Sequence, residues 1–362
     1  MVDRRVPVTI LSGLAGSATT ALLARLLANT DGRRIAAVVP GAGPPGAAAA
    51  PGCLCCAHRA DVLAAVGELA ATGRYDHVVV EAGATTEPVA VAAMFDWAGP
   101  QHDVGPGARA RLDAMVTVVD ATTFETDLTS ADTLAERGLA GGSGARGPVG
   151  GATEDDRTVA DLLAEQVEFA DVVVLARTAD VPPTRPARLE ALLRRLNPRA
   201  RLHRDDAPLT ALLDTPAPQP VPAVPETTEH GISSVTWRAR RPFHPARLLA
   251  ALDDWPGLLR SRGYCWIASR PELAGLWSQT GPHMALDPMT AWSAWDGPRG
   301  HEIVFIGLGL TRDGVTRRLD PALLTDDELL AGPDAWRCLP DPLPSWDPGP
   351  DSLPRRAARD VA

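Results

Sequence analysis

The stretch Val6-Pro7-Val8-Thr9-Ile10-Leu11-Ser12-Gly13-Leu14-Ala15-Gly16-Ser17 decides the fold of the amino-terminal half of this chain. Residues 6–11 are apolar and partly β-branched, which predicts a buried strand. Residues 13–17 contain two glycines and predict a turn. Residues 20–28 carry leucines at helical spacing, so the sequence predicts a strand, a glycine turn and a helix in succession.

The same alternation of short apolar runs and helical patterns continues along the chain. Further strands are predicted at residues 35–39, 77–80, 115–119 and 172–175, and helices are predicted at residues 59–69 and 161–169. Strands that alternate with helices pair in parallel and are covered on both faces. We therefore expect an α/β fold with a mostly parallel sheet and helices on both sides of it.

A proline-rich stretch divides the chain into two parts. Residues 214–229 read as an extended linker between a domain of residues 1–213 and a domain of residues 230–339. The last part, residues 340–362, is proline-rich and then polar, and we expect it to be disordered. In the second domain, alternating side chains and one helical pattern predict a smaller α+β unit.

Composition and charge exclude several classes of function. The 362 residues carry a formal net charge of −10, so no direct nucleic-acid binding is expected. No apolar run is long enough for a membrane helix, so no membrane association is expected. The chain has 35 basic side chains apart from histidine, and all are arginine, so no lysine can contact a phosphate. The five cysteines do not form a disulfide-type pattern, which favours the cytoplasm.

Three of the cysteines lie in the segment Gly52-Cys53-Leu54-Cys55-Cys56. Thiolates at this spacing suit a soft metal such as zinc or copper(I). Three small buried side chains or a redox pair are the alternatives that the sequence leaves open. Cys265 and Cys338 are isolated, and we expect both to be packing residues.

The glycine turn is an incomplete form of the phosphate-binding pattern G-x-x-x-x-G-K-[ST]. Gly13 fits the first glycine and Thr20 fits the final hydroxyl, but Ala18 replaces the second glycine and Thr19 replaces the lysine. The lysine charge stabilises bound phosphates. We therefore expect weak anion binding here, and a turn that only joins strand to helix is the open alternative.

The motifs, taken in order, resemble one family. Val8-Thr9-Ile10-Leu11-Ser12-Gly13, the cysteine segment, Val79-Val80-Glu81 and Val118-Val119-Asp120-Ala121 look like segments of the CobW family of P-loop GTPases and zinc chaperones. Arg241-Pro242-Phe243-His244-Pro245 resembles part of the CobW C-terminal domain. The resemblance covers residues 6–330 and implies a P-loop NTPase-like fold followed by that domain.

The resemblance also implies two sets of ligand-binding residues. GTP and Mg²⁺, if they bind, would be contacted by Gly13, Gly16, Ser17, Thr19, Thr20 and Asp120. Zinc would be bound by Cys53, Cys55, Cys56 and Glu81. His58, water or a partner's side chain are the other candidates for the fourth zinc ligand.

Several family positions differ in this chain. The family's Asn-Glu-x-Gly switch is Pro40-Gly41-Ala42-Gly43, and its next switch glycine is Ala84. The guanine-reading Asn-Lys-x-Asp is Ala176-Arg177-Thr178-Ala179, with Asp180 one residue late. We therefore expect GTP binding and hydrolysis to be weakened or lost, and we assign no catalytic residue.

The leading hypothesis is a zinc-homeostasis protein that binds zinc through its cysteines and delivers or senses it by contact with a protein client. A first alternative is a zinc-starvation adaptor that recruits a ribosome-hibernation factor to the ribosome. A second alternative is an active GTP-dependent metallochaperone.

Overall fold

The computed structural model describes residues 5–28, 30, 32–40, 58–97, 109–139, 157–205, 212–213, 224–253 and 255–346, apart from the side chains of residues 17, 96 and 97. The chain divides into two compact units, Met1–Pro220 and Val221–Ala362. None of the helices within these described ranges has the length and apolar character that crossing a bilayer requires.

A parallel sheet of six described strands forms the centre of the first unit, in the order β2-β3-β1-β4-β5-β6. Its strands are β1 (Val6–Ser12), β2 (Ile35–Val38), β3 (His77–Glu81), β4 (Ala110–Asp120), β5 (Val172–Ala176) and β6 (Arg201–Arg204). Its helices are α1 (Gly16–Ala28), α2 (Arg59–Ala71), α3 (Pro88–Trp97), α4 (Phe124–Leu128), α5 (Val159–Phe169) and α6 (Arg185–Leu196). The predicted α/β fold with a parallel, P-loop NTPase-like sheet is confirmed.

Helices cover both faces of this sheet. Alternate residues of β3 belong to different core clusters: Val78 and Val80 pack with side chains of α2 and α3, whereas Val79 packs with side chains of α1. All three valines are fully buried. Burial on both faces explains why the strands read as continuous apolar runs in the sequence.

Two element boundaries differ from the sequence prediction. The first helix begins at Gly16 and not at residue 20, because the amides of Ala18 and Thr19 already donate to the Ala15 carbonyl oxygen. Strand β4 begins at Ala110, five residues before the predicted start. Arg111 and Asp113 interrupt its apolar pattern and form a salt bridge of 2.6 Å with each other.

The strand order creates a crevice at the carboxyl ends of β1 and β4. Strands β2 and β3 lie on one side of β1 in the sheet, and β4 lies on the other side. The connection after β1 therefore leads to one side, and the connection after β3 leads to the opposite side. In open parallel sheets, ligands bind in the crevice where the direction of the connections changes in this way. Gly13 follows β1 and Asp120 ends β4, so both residues lie at this edge of the sheet.

An antiparallel sheet of six described strands forms the second unit, in the order β11-β10-β9-β12-β8-β7. Its strands are β7 (Thr228–Glu229), β8 (Ile232–Ala239), β9 (Leu258–Trp266), β10 (Leu273–Thr280), β11 (His283–Ala291) and β12 (His301–Leu308). Its helices are α7 (Pro245–Leu252), α8 (Arg312–Leu319) and α9 (Asp326–Trp336). The prediction of a separate unit with mixed helices and strands agrees with this architecture.

Aromatic side chains fill both faces of the second sheet. On one face Trp237 stacks on Phe243 with ring centroids 5.5 Å apart, and Cys265 packs in the same cluster. On the other face Trp266 meets Trp336 edge to face at 5.9 Å. Cys265 is therefore a packing residue as predicted, whereas Cys338 is exposed and that prediction is wrong.

The second unit extends beyond both predicted limits. On the amino-terminal side, β7 lies inside the predicted linker and pairs with β8. On the carboxyl-terminal side, Trp346 is 8 % exposed and its indole N–H donates to the Leu286 carbonyl oxygen at 2.8 Å. Asp341 forms a salt bridge of 2.9 Å with Arg270. Residues 340–346 are therefore folded, and the prediction of disorder is wrong for them. The proline-rich composition gave no sign that Trp346 would be buried.

His301 is buried in the second unit and hydrogen-bonded on both ring nitrogens. Its Nδ1 accepts the Trp266 backbone N–H at 3.2 Å, so its Nε2 carries the proton and donates to the Arg241 carbonyl oxygen at 2.7 Å. Burial lowers the pKa of His301 to about 3. An unfolded chain takes up this proton near pH 6.5, so the unfolded state binds more protons between these two values.

We expect the second unit to lose stability as the pH falls below 6.5, the ordinary histidine pKa, by at most about 1.4 kcal/mol per pH unit from this group. Urea unfolding at pH 7.5 and pH 5.5, followed by tryptophan fluorescence, measures this loss. The signal is specific because Trp97 is the one tryptophan of the nine that precedes residue 221.

The variant His301→Gln should be less stable at neutral pH but should lose most of this pH dependence. Some dependence should remain, because burial also lowers the pKa of His244. The control is His283→Gln, since His283 is exposed. An equal pH dependence in the wild type and in His301→Gln would refute the assignment.

Candidate functional site

Gly13 lies against the backbone of β4. Its φ of 145° falls in the region that side chains disfavour, and a Cβ placed on it would lie 2.3 Å from the Val118 carbonyl oxygen. Only glycine allows an approach this close. The turn between β1 and α1 is therefore pressed onto the neighbouring strand at the crevice.

Three amides at the start of α1 are already hydrogen-bonded. Gly16 N–H donates to the Leu14 carbonyl oxygen at 2.9 Å, and the N–H groups of Ala18 and Thr19 donate to the Ala15 carbonyl oxygen at 2.8 and 3.0 Å. A phosphate-binding loop instead points such N–H groups at the anion. The side chain of Ser17 lies outside the described residues.

The two threonines of the pattern point in different directions. Thr19, at the lysine position, is 2 % exposed, and its hydroxyl lies 3.2 Å from the Ala15 carbonyl oxygen. Thr20 is exposed, and its hydroxyl lies 2.6 Å from Glu81 Oε1. Thr20 and Glu81, which are 61 positions apart, are thus brought together at the carboxyl ends of the strands.

Asp120 is held from two directions. Its Oδ1 accepts from the backbone N–H of Thr122 at 2.8 Å and from the Thr122 hydroxyl at 2.6 Å. Its Oδ2 accepts from Arg177 Nη1 at 3.0 Å. The Asp120 side chain is 14 % exposed. Asp120 therefore caps the turn that follows β4, and its predicted contact with a nucleotide stays a prediction.

Arg177 connects the ends of β4 and β5. Its backbone is left-handed, with φ 59° and ψ 34°, and its N–H donates to Asp205 Oδ2 at 2.6 Å. Its guanidinium bridges Asp180 at 2.9 Å and Asp120 at 3.0 Å. The hydrogen bond to Asp180 and the charge of Asp120 raise the pKa of Arg177. No pattern in the sequence predicted this cluster.

The predicted metal ligands are described only in part. Cys53, Cys55 and Cys56 lie outside the described residues. His58 comes immediately before α2 and is 9 % exposed, and its Nε2 has no hydrogen-bond partner among the described residues. Within the described ranges, no group of three or more His, Cys, Asp or Glu side chains could hold a metal ion.

These features define a class of protein. A glycine turn joins β1 to α1 beside the crevice of a parallel sheet, and a separate antiparallel unit follows. This is a P-loop NTPase-like nucleotide-binding fold with an added domain. Residues 7–204 match the family described as CobW/HypB/UreG, nucleotide-binding domain. Residues 232–323 match the cobalamin synthesis protein cobW C-terminal domain. The chain therefore belongs to the CobW family.

Characterised relatives align over most of the chain. A zinc-regulated GTPase metalloprotein activator 1 of Dictyostelium discoideum is 31 % identical, and the alignment covers 94 % of this chain and 84 % of that protein. A zinc chaperone of Mycobacterium tuberculosis is 28 % identical over 83 % of this chain and 79 % of its own length. The solved structure of the Zn(II)-bound YjiA GTPase of E. coli superposes on this chain with a TM-score of 0.42 and 19 % sequence identity. The superposition covers 89 % of this chain and 100 % of that chain.

The replacement Gly13→Ala should destabilise the first unit by about 2 kcal/mol or more, because the Cβ would overlap the Val118 carbonyl oxygen and the φ is unfavourable. The matched control is Gly16→Ala, where a Cβ meets no atom within 4 Å and helix propensity favours alanine. Urea unfolding followed by far-ultraviolet circular dichroism compares the two. Equal stabilities of both variants would contradict the close contact.

Proposed function

We propose that this protein handles zinc as cargo, binding it through Cys53, Cys55 and Cys56 and passing it to a protein client. The observation that carries the proposal is the alignment of 94 % of the chain with a zinc-regulated GTPase metalloprotein activator. A named zinc chaperone supports it over 83 % of the chain. The cysteine segment supplies the soft ligands that zinc prefers.

We infer the thiolate form of the cysteines from their place in the sequence, just before helix α2. Cys56 precedes the start of α2 at Arg59 by three residues. The amino-terminal end of a helix carries partial positive charge, and an arginine beside it adds more. Both effects lower a thiol pKa and so favour metal binding. Three thiolates leave one position of a tetrahedral zinc site for another ligand, which is an arrangement suited to transfer.

His58 is the best-supported fourth ligand. A buried imidazole nitrogen without a hydrogen-bond partner costs about 1–3 kcal/mol, and coordination of a metal would remove that cost. The Nε2 of His58 meets this description among the described residues. Glu81 already accepts the short hydrogen bond from Thr20, so its predicted role as a ligand would require that bond to change.

Weak nucleotide binding is the second part of the proposal. The chain has no lysine, and Thr19 at the lysine position is buried and bonded to Ala15. The amides of Gly16, Ala18 and Thr19 are already hydrogen-bonded, and this is a further argument for weak nucleotide binding. These residues do not fit a tightly bound GTP–Mg²⁺. The ribosome adaptor and the active GTPase stay alternative predictions.

Wild-type protein should bind about one zinc ion tightly, and the triple variant Cys53→Ser, Cys55→Ser, Cys56→Ser should bind none at this site. Elemental analysis and competition with a chromophoric chelator measure both properties. His58→Ala should weaken zinc binding by about tenfold or more, because a ligand is lost. Glu81→Gln should weaken it less.

The matched control is Cys338→Ser, because Cys338 is exposed and distant in sequence from the motif. It should bind zinc like the wild type. Equal zinc content in the wild type and the triple variant would remove the cysteine site and, with it, the zinc-cargo proposal.

Zinc affinity should be unchanged when millimolar GTP and Mg²⁺ are added, because Thr19 replaces the lysine and the amides of Gly16, Ala18 and Thr19 are already hydrogen-bonded. Zinc competition with and without GTP, together with phosphate release over hours, tests this expectation. Steady GTP turnover, or a clear shift of zinc affinity with GTP, would favour the active GTP-dependent chaperone instead.

A further inference from the structure

We propose that Arg177 determines ligand specificity at the crevice: its guanidinium takes the carboxylates that a guanine base would otherwise contact, and so excludes the base. The inference rests on the proposed weak nucleotide binding and names a second cause for it, separate from the missing lysine. Three observations carry it: the backbone of Arg177, its ion pairs and their place in the sheet.

The backbone of Arg177 is held in a conformation that arginine seldom adopts. A non-glycine residue at φ 59° persists where the surroundings stabilise it. Here Asp205 does so: one carboxylate oxygen accepts the Arg177 N–H at 2.6 Å, and the other accepts the Thr178 hydroxyl at 2.8 Å. The left-handed residue directs its side chain to Asp120, at the end of the neighbouring strand β4.

The guanidinium of Arg177 binds two carboxylates at this end of the sheet. Its Nε donates to Asp180 and its Nη1 donates to Asp120. The second oxygen of Asp120 is taken by Thr122. Both oxygens of Asp120 therefore already accept hydrogen bonds from within the chain, and Asp180 is paired with a cation.

A guanine base would compete directly with this arginine. The ring N1–H and the exocyclic amino group of guanine form a pair of parallel donors, as a guanidinium does, and a carboxylate accepts either pair. Adenine presents an acceptor beside a donor on the corresponding edge and does not match a carboxylate. Because Asp120 ends β4 at the crevice, the competition takes place where this fold binds ligands.

The test compares Arg177→Ala and Arg177→Gly with the wild type, using full-length protein and fluorescent GDP with Mg²⁺. We expect GDP to bind about tenfold more tightly to both variants, since the base no longer has to break the two ion pairs of Arg177, each of which contributes modestly. Fluorescent ADP should bind equally weakly to all three proteins. Glycine adopts the left-handed conformation without strain, so Arg177→Gly separates loss of the guanidinium from loss of the fold.

The matched control is Arg188→Ala. Arg188 pairs with Glu125 at 2.7 Å, and its side chain is 38 % exposed against 46 % for Arg177. This variant should bind GDP like the wild type. GDP binding that is equal to the wild type, weaker or undetectable in both Arg177 variants would overturn the inference, and so would an equal gain for ADP.

Failure of this inference differs from failure of the proposed function. The ratio of GDP affinities between variant and wild type tests Arg177 alone. Tight GDP binding to the wild type would contradict the proposed weak nucleotide binding, and zinc content that does not depend on the cysteines would contradict the zinc proposal. Zinc is therefore measured on the same samples.

Discussion

The close approach of Gly13 to the Val118 carbonyl oxygen is the constraint on which the crevice of the first unit depends. It sets the turn between β1 and α1 against β4, next to the change of direction in the sheet. The start of α1 follows from it, and so does the position of Thr20 opposite Glu81. A bulkier residue at Gly13 would shift the turn, the start of α1 and Thr20 together, because a side chain at Gly13 would overlap the backbone of β4.

The charged side chains around this turn are mostly acidic. Glu81, Asp120 and Asp180 are acidic, and Arg177 is the basic side chain that bridges two of them. A nucleoside triphosphate carries several negative charges, and a phosphate site usually offsets them with lysine and free amides. The fold alone therefore does not establish a bound nucleotide, and weak nucleotide binding stays a proposal.

The second unit is stabilised by other means. Indole and phenyl rings pack on both faces of its antiparallel sheet, and the neutral form of His301 joins Trp266 to Arg241 inside it. Trp346 fills a place beside Gly275, where a Cβ would lie 2.5 Å from the indole. The boundaries of this unit are thus set by packing and not by the proline-rich composition of its flanks.

The sequence by itself determined the parallel sheet, the glycine turn and the second unit, because hydrophobic periodicity and turn residues act over short distances along the chain. It also indicated the family through motifs in a recognisable order. Only the tertiary structure decided the hydrogen bond between Thr20 and Glu81, the cluster around Arg177 and the burial of Trp346. Each of these joins residues far apart in sequence, and such pairs are chosen by strand order and packing, which no local pattern encodes. The prediction for Cys338 failed because composition cannot tell which side chains at a helix end meet solvent.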